Sequence, residues 1–221
     1  MPMNVLLYHA GSPLALSCAA ELAADGAEVR CLSESVHPLP EEIVQSCADP
    51  LSPAALSEAV ARLCGEKALD LLILSSGLHA PDDGAVTSGS RHDCDALLGT
   101  AMKNVGGVFS VLTAALPCLE AGRARRIALL YDENPAISCQ TDCGEYAFHM
   151  SEAALGMMQK LFFNRLRPAG FTFRSFVGGA GGMSAKEYIL GDFCYDPEEP
   201  YIHSEENRLV TRDGLLRELP W

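Results

Sequence analysis

The chain has 221 residues, 48% of them hydrophobic, which suits one α/β domain over residues 1–221 with enough length to bury a core. A formal net charge of -13 excludes a nucleic-acid or anionic-membrane surface as the expected partner, because phosphate binding draws its affinity from Lys and Arg. The 9 cysteines are scattered and odd in number, residues 1–7 have no leader pattern, and no apolar segment is expected to span a bilayer; free thiols in a cytoplasmic compartment are the expectation.

Asn4 to Tyr8 reads as a short apolar strand, followed by the turn His9-Ala10-Gly11-Ser12-Pro13, an Ala-rich helix from Leu14 to Ala24, and a second strand from Val29 to Ser33. This is the opening β-α-β unit of a doubly wound sheet, in which an anion would sit on the helix amino end. Ser12 also suits a plain N-cap. Ile43 to Ala48 is a candidate third strand, and Ser52-Pro53 opens a helix through Leu63. Leu69 to Leu74 is a near-continuous apolar run, as expected of a central parallel strand covered on both faces. Ala80 to Asp93 is polar and reads as a loop over the carboxyl edge. Asp95 to Leu119 is a long helix, Arg126 to Leu130 a strand, and Phe148 to Arg167 a second long helix that Pro168-Ala169-Gly170 ends. The apolar residues of this last helix, including Met157, Met158, Leu161 and Phe162, exceed a single stripe, so it should be covered on more than one side, by the sheet and by a partner. Phe171 to Val177 returns to the sheet, and Gly178-Gly179 opens a loop where open α/β sheets place ligands.

The stretch from Phe148 to Gly179 resembles the active-site helix and following strand of the short-chain dehydrogenase/reductase family, whose pattern is Tyr-x-x-x-Lys-Ala-Ala-Leu, a long helix, a Gly turn, a strand and Pro-Gly. Glu152-Ala153-Ala154-Leu155 lies on Lys-Ala-Ala-Leu, and the register runs without a gap to Gly179. The resemblance implies a Rossmann-type three-layer α/β sandwich with a mostly parallel sheet. It puts the catalytic Tyr on Phe148, the catalytic Lys on Glu152, and the catalytic Ser on Asp132, with Ser138 in a later loop. Asn104, in Asn104-Val105-Gly106-Gly107-Val108-Phe109, falls on the Asn that holds a proton-relay water in the family; an Asn inside a helix can equally bond its own backbone.

The family's glycine-rich phosphate turn lies over Tyr8 to Ala15, so its three glycines become His9, Pro13 and Ala15, with Gly11, Ser12 and Leu14 between them. The adenosine-ribose position falls on Ser33, followed by Glu34, whose carboxylate favours NAD over NADP if a cofactor binds. Asp49 matches an Asp near the adenine edge, and equally suits an acidic helix start. Leu74-Ser75-Ser76-Gly77 lies on the family's Asn-Asn-Ala-Gly, with Gly77 the one member retained. The segment after Gly182 is short, which implies trimmed substrate-covering helices, and Tyr201 to Gly214 resembles the family's last loop and strand.

Family chemistry needs a phenol of lowered pKa, a Lys that lowers it and a hydroxyl that orients substrate. Phe148, Glu152 and Asp132 supply none of these, and Tyr146, two positions from the register, is the alternative phenol. Cys139 and Cys143 with His149 lie outside the usual metal spacing, so no metal site is expected; His149 with Ser138 or Asp132 lacks a nucleophile elbow. Three readings remain open. One is a binding, regulatory or structural subunit without the family's Tyr/Lys/Ser activity, with NAD, NADP or no cofactor. The second is an NAD(P)-dependent oxidoreductase on a small carbonyl or alcohol, using Tyr146, Asn104, Ser138 and His149. The third is completion of the site by a catalytic partner subunit. By resemblance, helices 95–119 and 148–167 should pair with their mates in a homodimer or homotetramer.

Overall fold

The structure is a computed structural model that describes residues 2–8, 12–76, 88, 94–193 and 208–220. His9, Ala10, Gly11, Gly77, most of the Ala80 to Asp93 loop and Tyr201, named above, lie outside the described residues.

Seven strands form one sheet in the order β3-β2-β1-β4-β5-β6-β7. They are β1 (Asn4–Tyr8), β2 (Glu28–Ser33), β3 (Val44–Cys47), β4 (Leu71–Ser75), β5 (Arg126–Tyr131), β6 (Thr172–Val177) and β7 (Val210–Arg212). Every neighbouring pair is parallel, with Val5 opposite both Val29 and Leu71, and Leu71 opposite Arg126. The strand order reverses between β1 and β4, so the crevice for a ligand opens at their carboxyl ends, beyond Tyr8 and Ser75.

Helices α1 (Pro13–Ala24) and α6 (Ala185–Gly191) cover one face, and α2 (Pro53–Cys64), α4 (Val108–Ala121) and α5 (Tyr146–Leu166) cover the other. The strands alternate between the two cores: Leu6, Leu72 and Leu129 face α2, α4 and α5, while Val5, Leu71 and Ala128 face α1 and α6. This two-sided burial explains the continuous apolar runs of the central strands. The helix ends follow local chemistry. Ser12 caps α1 through Ala15 N, Ser52 caps α2 through Ala55 N, both with Pro at the first position, and Ser184 and Glu187 form a capping box on α6.

Two expectations need correction. The helix expected from Asp95 to Leu119 divides into α3 (Cys94–Ala101), a π-helical segment Met102–Gly107, and α4, which extends to Ala121. An added residue per turn rotates Asn104 into the core, and single π insertions of this kind concentrate at functional sites. The helical run Cys94–Ala121 is also long and apolar enough, by length and composition, to cross a membrane. Val108, Val111, Leu112, Ala115 and Leu119 instead pack in the sheet's core, which accounts for its apolar character. On α5, Phe148, Leu155 and Phe163 are buried, and Met150, Met157 and Leu161 are more than half exposed.

Candidate functional site

At the head of α1, the Ser12 hydroxyl accepts from Ala15 N at 3.1 Å and its carbonyl accepts from Leu16 N at 3.0 Å. Pro13 has no N–H, so Leu14 N is the one amide of this first turn left to face an anion. Ser12, Pro13 and Leu14 border a cleft of about 200 Å³ together with Ser75, Tyr131, Asp132, Gly178 and Gly179. The structure thus brings these sequence-selected residues together at the crevice. Ser12 functions as the helix cap of α1.

Other nucleotide-position residues are engaged locally. Ser33 donates to Ser35 O at 2.6 Å, and Glu34 pairs with Lys103 at 3.2 Å, which offsets the charge that would discriminate against a 2′-phosphate. Asp49 accepts from Leu51 N at 2.9 Å, capping its own turn ahead of α2. Ser75 donates to Ser76 O at 3.2 Å, and Ser76 donates to Leu130 O at 3.3 Å, tying the end of β4 to β5.

The buried stripe of α5 carries the polar groups. Asn104, fully buried in the π segment, donates to Ser151 Oγ at 2.8 Å, and Ser151 donates to Phe148 O at 2.7 Å. Phe148 is fully buried, with its ring edge-on to His149 at 5.1 Å. Glu152 is 2% exposed, and neither carboxylate oxygen has a hydrogen-bond partner. Burial, helped by the nearby Asp132 and Glu133 carboxylates, pushes its carboxyl up to about 8; the Ser76 hydroxyl and the Asp132 backbone oppose this without reaching hydrogen-bond geometry. Glu152 faces a second cavity of about 280 Å³, shared with Asn134, Gln140, His149 and Met150. A carboxyl mostly protonated near neutral pH can donate a hydrogen bond or a proton there.

The remaining candidates separate. Asp132 is exposed at the first cleft, whereas Ser138 is exposed beside a groove of about 860 Å³ along the outer side of α5. The Tyr146 hydroxyl donates to Cys143 O at 3.1 Å, and the residue borders none of these three cavities. His149 does not assemble a relay with Ser138: its Nδ1 lies 2.5 Å from Gln140 Nε2, with Glu133 and Asp142 flanking the ring. Cys139 and Cys143 are exposed free thiols, and no disulfide occurs among the described residues. Buried Cys18, Cys31 and Cys64 have thiols pushed up to about 12 by burial, which makes them poor nucleophiles.

Sequence reasoning missed Gln159, Ser151, Gln140 and Glu133. Gln159 is fully buried and accepts from both Tyr131 Oη at 3.1 Å and Ser175 Oγ at 2.7 Å, joining α5 to β5 and β6. Its signal was present: Ser151, Glu152 and Gln159 interrupt the apolar stripe at helical spacing, where polar side chains are costly without partners.

The strand order, crevice and long π-interrupted helix define a doubly wound, Rossmann-type α/β protein. Within that class the fold is that of the short-chain dehydrogenase/reductases. The Sniffer protein of Caenorhabditis elegans superposes with a TM-score of 0.78 over 100% of both chains at 15% identity. NADH-dependent reductase A1-R′, complexed with NAD, gives 0.73 at 16% identity, covering 99% of this chain and 98% of that one. A short-chain dehydrogenase/reductase variant of Serratia marcescens gives 0.70 at 18% identity over 96% of each. In sequence, 68 residues, 31% of this chain, are 40% identical to C-signal of Myxococcus xanthus, and the match spans 41% of that protein. No protein-family model matches the chain.

Proposed function

We propose that this chain is a divergent short-chain dehydrogenase/reductase-type protein, one domain over residues 1–221, that acts as a binding or regulatory subunit without the family's Tyr/Lys/Ser hydride-transfer activity. The observation that carries this reading is α5 itself. Where the resemblance calls for a phenol and an ammonium, the helix presents a fully buried Phe148 and a buried, unpartnered Glu152 carboxyl. Asn104, the relay position, spends its amide on Ser151 and thereby locks the π segment to α5. The ligand on this reading is a nicotinamide nucleotide, NAD or NADP, entering the cleft beside Ser12, Ser75 and Gly178, or a partner protein.

The exposed Met157 and Leu161 of α5, with Phe109 of α4 tilted against Phe162 at 5.5 Å between ring centroids, supply an apolar face for a homodimer or homotetramer. A catalytic partner subunit is the alternative occupant of that face. Free thiols throughout the described residues favour a cytoplasmic setting.

A second reading, an NAD(P)-dependent oxidoreductase acting on a small carbonyl or alcohol with Glu152 as the proton donor, is favoured by the cavity that this carboxyl faces. Calorimetric titration with NAD, NADH, NADP and NADPH, followed by a carbonyl and alcohol substrate panel, separates the two. Nucleotide binding without turnover supports the first, and turnover gained by the Phe148→Tyr/Glu152→Lys double variant strengthens it. Robust wild-type turnover abolished by Glu152→Gln overturns it in favour of the second; turnover abolished by Tyr146→Phe overturns it through the other phenol.

A further inference from the structure

Beyond β5 the chain rises over the carboxyl edge of the sheet before entering α5, and this climb places Glu133, Gln140 and Asp142 around His149. The ring is 12% exposed, with Glu133 Oε2 at 3.7 Å from Nδ1 and Asp142 Oδ2 at 3.8 Å from Nε2. One donor atom from each of the three residues lies within 4.8 Å of the others. Among the described residues no Lys or Arg pairs with either carboxylate. The buried Nε2 of His149 has no hydrogen-bond partner.

An independent feature points at the same space. Glu152, one turn further along α5, is 2% exposed, has no hydrogen bond to either oxygen, and shares the cavity of about 280 Å³ with His149 and Gln140. A buried carboxyl without donors is costly, and in a native protein such groups commonly mark a missing ion or ordered water. Two carboxylates and an imidazole therefore converge beside a buried carboxyl, with no protein cation among the described residues to balance them.

We propose that Glu133, Asp142 and His149 form a binding site for a divalent transition-metal ion of the zinc class, open to the cavity that Glu152 lines. Imidazole with carboxylates suits zinc and its neighbours, whereas magnesium and calcium prefer oxygen-only ligands. Ligand atoms at about 2.1 Å from a tetrahedral ion stand roughly 3.4 Å apart, so spacings that reach up to 4.8 Å must close by up to about 1.4 Å, with Glu133 moving from the Nδ1 side of the ring toward Nε2. Glu152 stays outside the coordination shell and accepts a hydrogen bond from a water on the ion.

The site has a built-in adjustment. Gln140 Oε1 accepts from Thr141 N at 2.8 Å and Asp142 N at 2.9 Å, which fixes its NH₂ toward Nδ1 and so places the imidazole proton on Nε2. Coordination through Nε2 moves that proton to Nδ1. The Gln140 amide must then turn its oxygen to the ring, releasing Asp142 N and letting the Asp142 carboxylate approach the ion. A carboxylate at position 140 would serve Nδ1–H better, as in carboxylate–histidine–zinc pairs.

The test is calorimetric titration of chelator-treated full-length protein with Zn²⁺, Mn²⁺ and Mg²⁺, with thermal stability as a second readout. One saturable Zn²⁺ per chain, a raised Tm and much weaker Mg²⁺ binding are expected. His149→Ala and the Glu133→Gln/Asp142→Asn pair should each weaken Zn²⁺ at least roughly tenfold, and Gln140→Glu should tighten it. Cys139→Ser/Cys143→Ser should leave it intact. No Zn²⁺ binding in the wild type, or binding that survives His149→Ala and disappears in the double Cys variant, overturns the proposal. Circular dichroism of each metal-free variant identifies any that fails to fold, and Gln140→Glu, confined to a surface loop, then decides the outcome by its direction alone.

Discussion

Asn104 in the π segment donates to Ser151 in α5 at 2.8 Å, so an interrupted helix and the 21-residue α5 are joined by a buried polar bond. Asn104 is fully buried and Ser151 is 1% exposed, so the bond is shielded from water. Ser151→Ala should cost about 1–3 kcal/mol, the penalty for stranding the Asn104 amide. A double-mutant cycle with Asn104→Ala by urea denaturation should return a coupling of at least about 0.5 kcal/mol. Strict additivity would mean that the amide finds another acceptor.

Glu152 gives the protein a pH dependence with a definite sign. Its carboxyl is raised from 4.5 to about 8 in the folded state, so between those values the unfolded chain binds fewer protons than the folded one. Stability should therefore be greatest on the acid side, fall as pH rises through this window, and level off above about pH 8, over a span on the order of a few kcal/mol. Glu152→Gln should remove that slope. Denaturation of both proteins in metal-free buffer at about pH 5, 6.5 and 8.5 measures it as wild type minus variant; a constant difference would refute the unpartnered carboxyl.

Gln159 accepts from two hydroxyls on adjacent strands, Tyr131 and Ser175. Gln159→Leu should strand both donors and cost about 2–4 kcal/mol, although the volume is nearly conserved. Adding Tyr131→Phe and Ser175→Ala to that variant should recover part of the loss, read as the shift in denaturation midpoint.

Gly107 ends the π segment where a Cβ would land on the Tyr8 hydroxyl. Tyr8 is 1% exposed and its ring is held in the core beneath α4, so it has no room to yield. Gly107→Ala should destabilise by about 1–3 kcal/mol through overpacking, and Tyr8→Phe in the same chain should return part of it. Equal thermal stability of wild type and Gly107→Ala would show that the π segment can shift.

The open face of α5 predicts assembly. Met157 is 62% exposed and Leu161 is 61% exposed on one side of the helix. Light scattering after size exclusion should give a dimer or tetramer for the wild type and a monomer for Leu161→Asp, with unchanged circular dichroism. A wild-type monomer across the micromolar range would leave the face for a different partner.

The sequence by itself determined the architecture. Strands such as Leu71–Ser75 are written as continuous apolar runs, helix starts as Ser-Pro pairs, and the register from Phe148 to Gly179 as a pattern tied to one fold; these signals are local in the chain, so one sequence suffices to read them. It also placed Ser12, Ser75, Asp132 and Gly178 at one crevice, because parallel β-α-β winding brings strand ends together. Only the tertiary structure decided what the polar groups do there. The π insertion that turns Asn104 inward depends on packing against α5, and Tyr146 was drawn to the Cys143 carbonyl and away from the cavities. Whether Glu152 is solvated or buried, and whether Glu133, Asp142 and His149 meet, rests on how the chain between β5 and α5 folds over the sheet edge. Desolvation and charge proximity are set by groups distant along the chain, and that is the information a linear pattern of residue types does not carry.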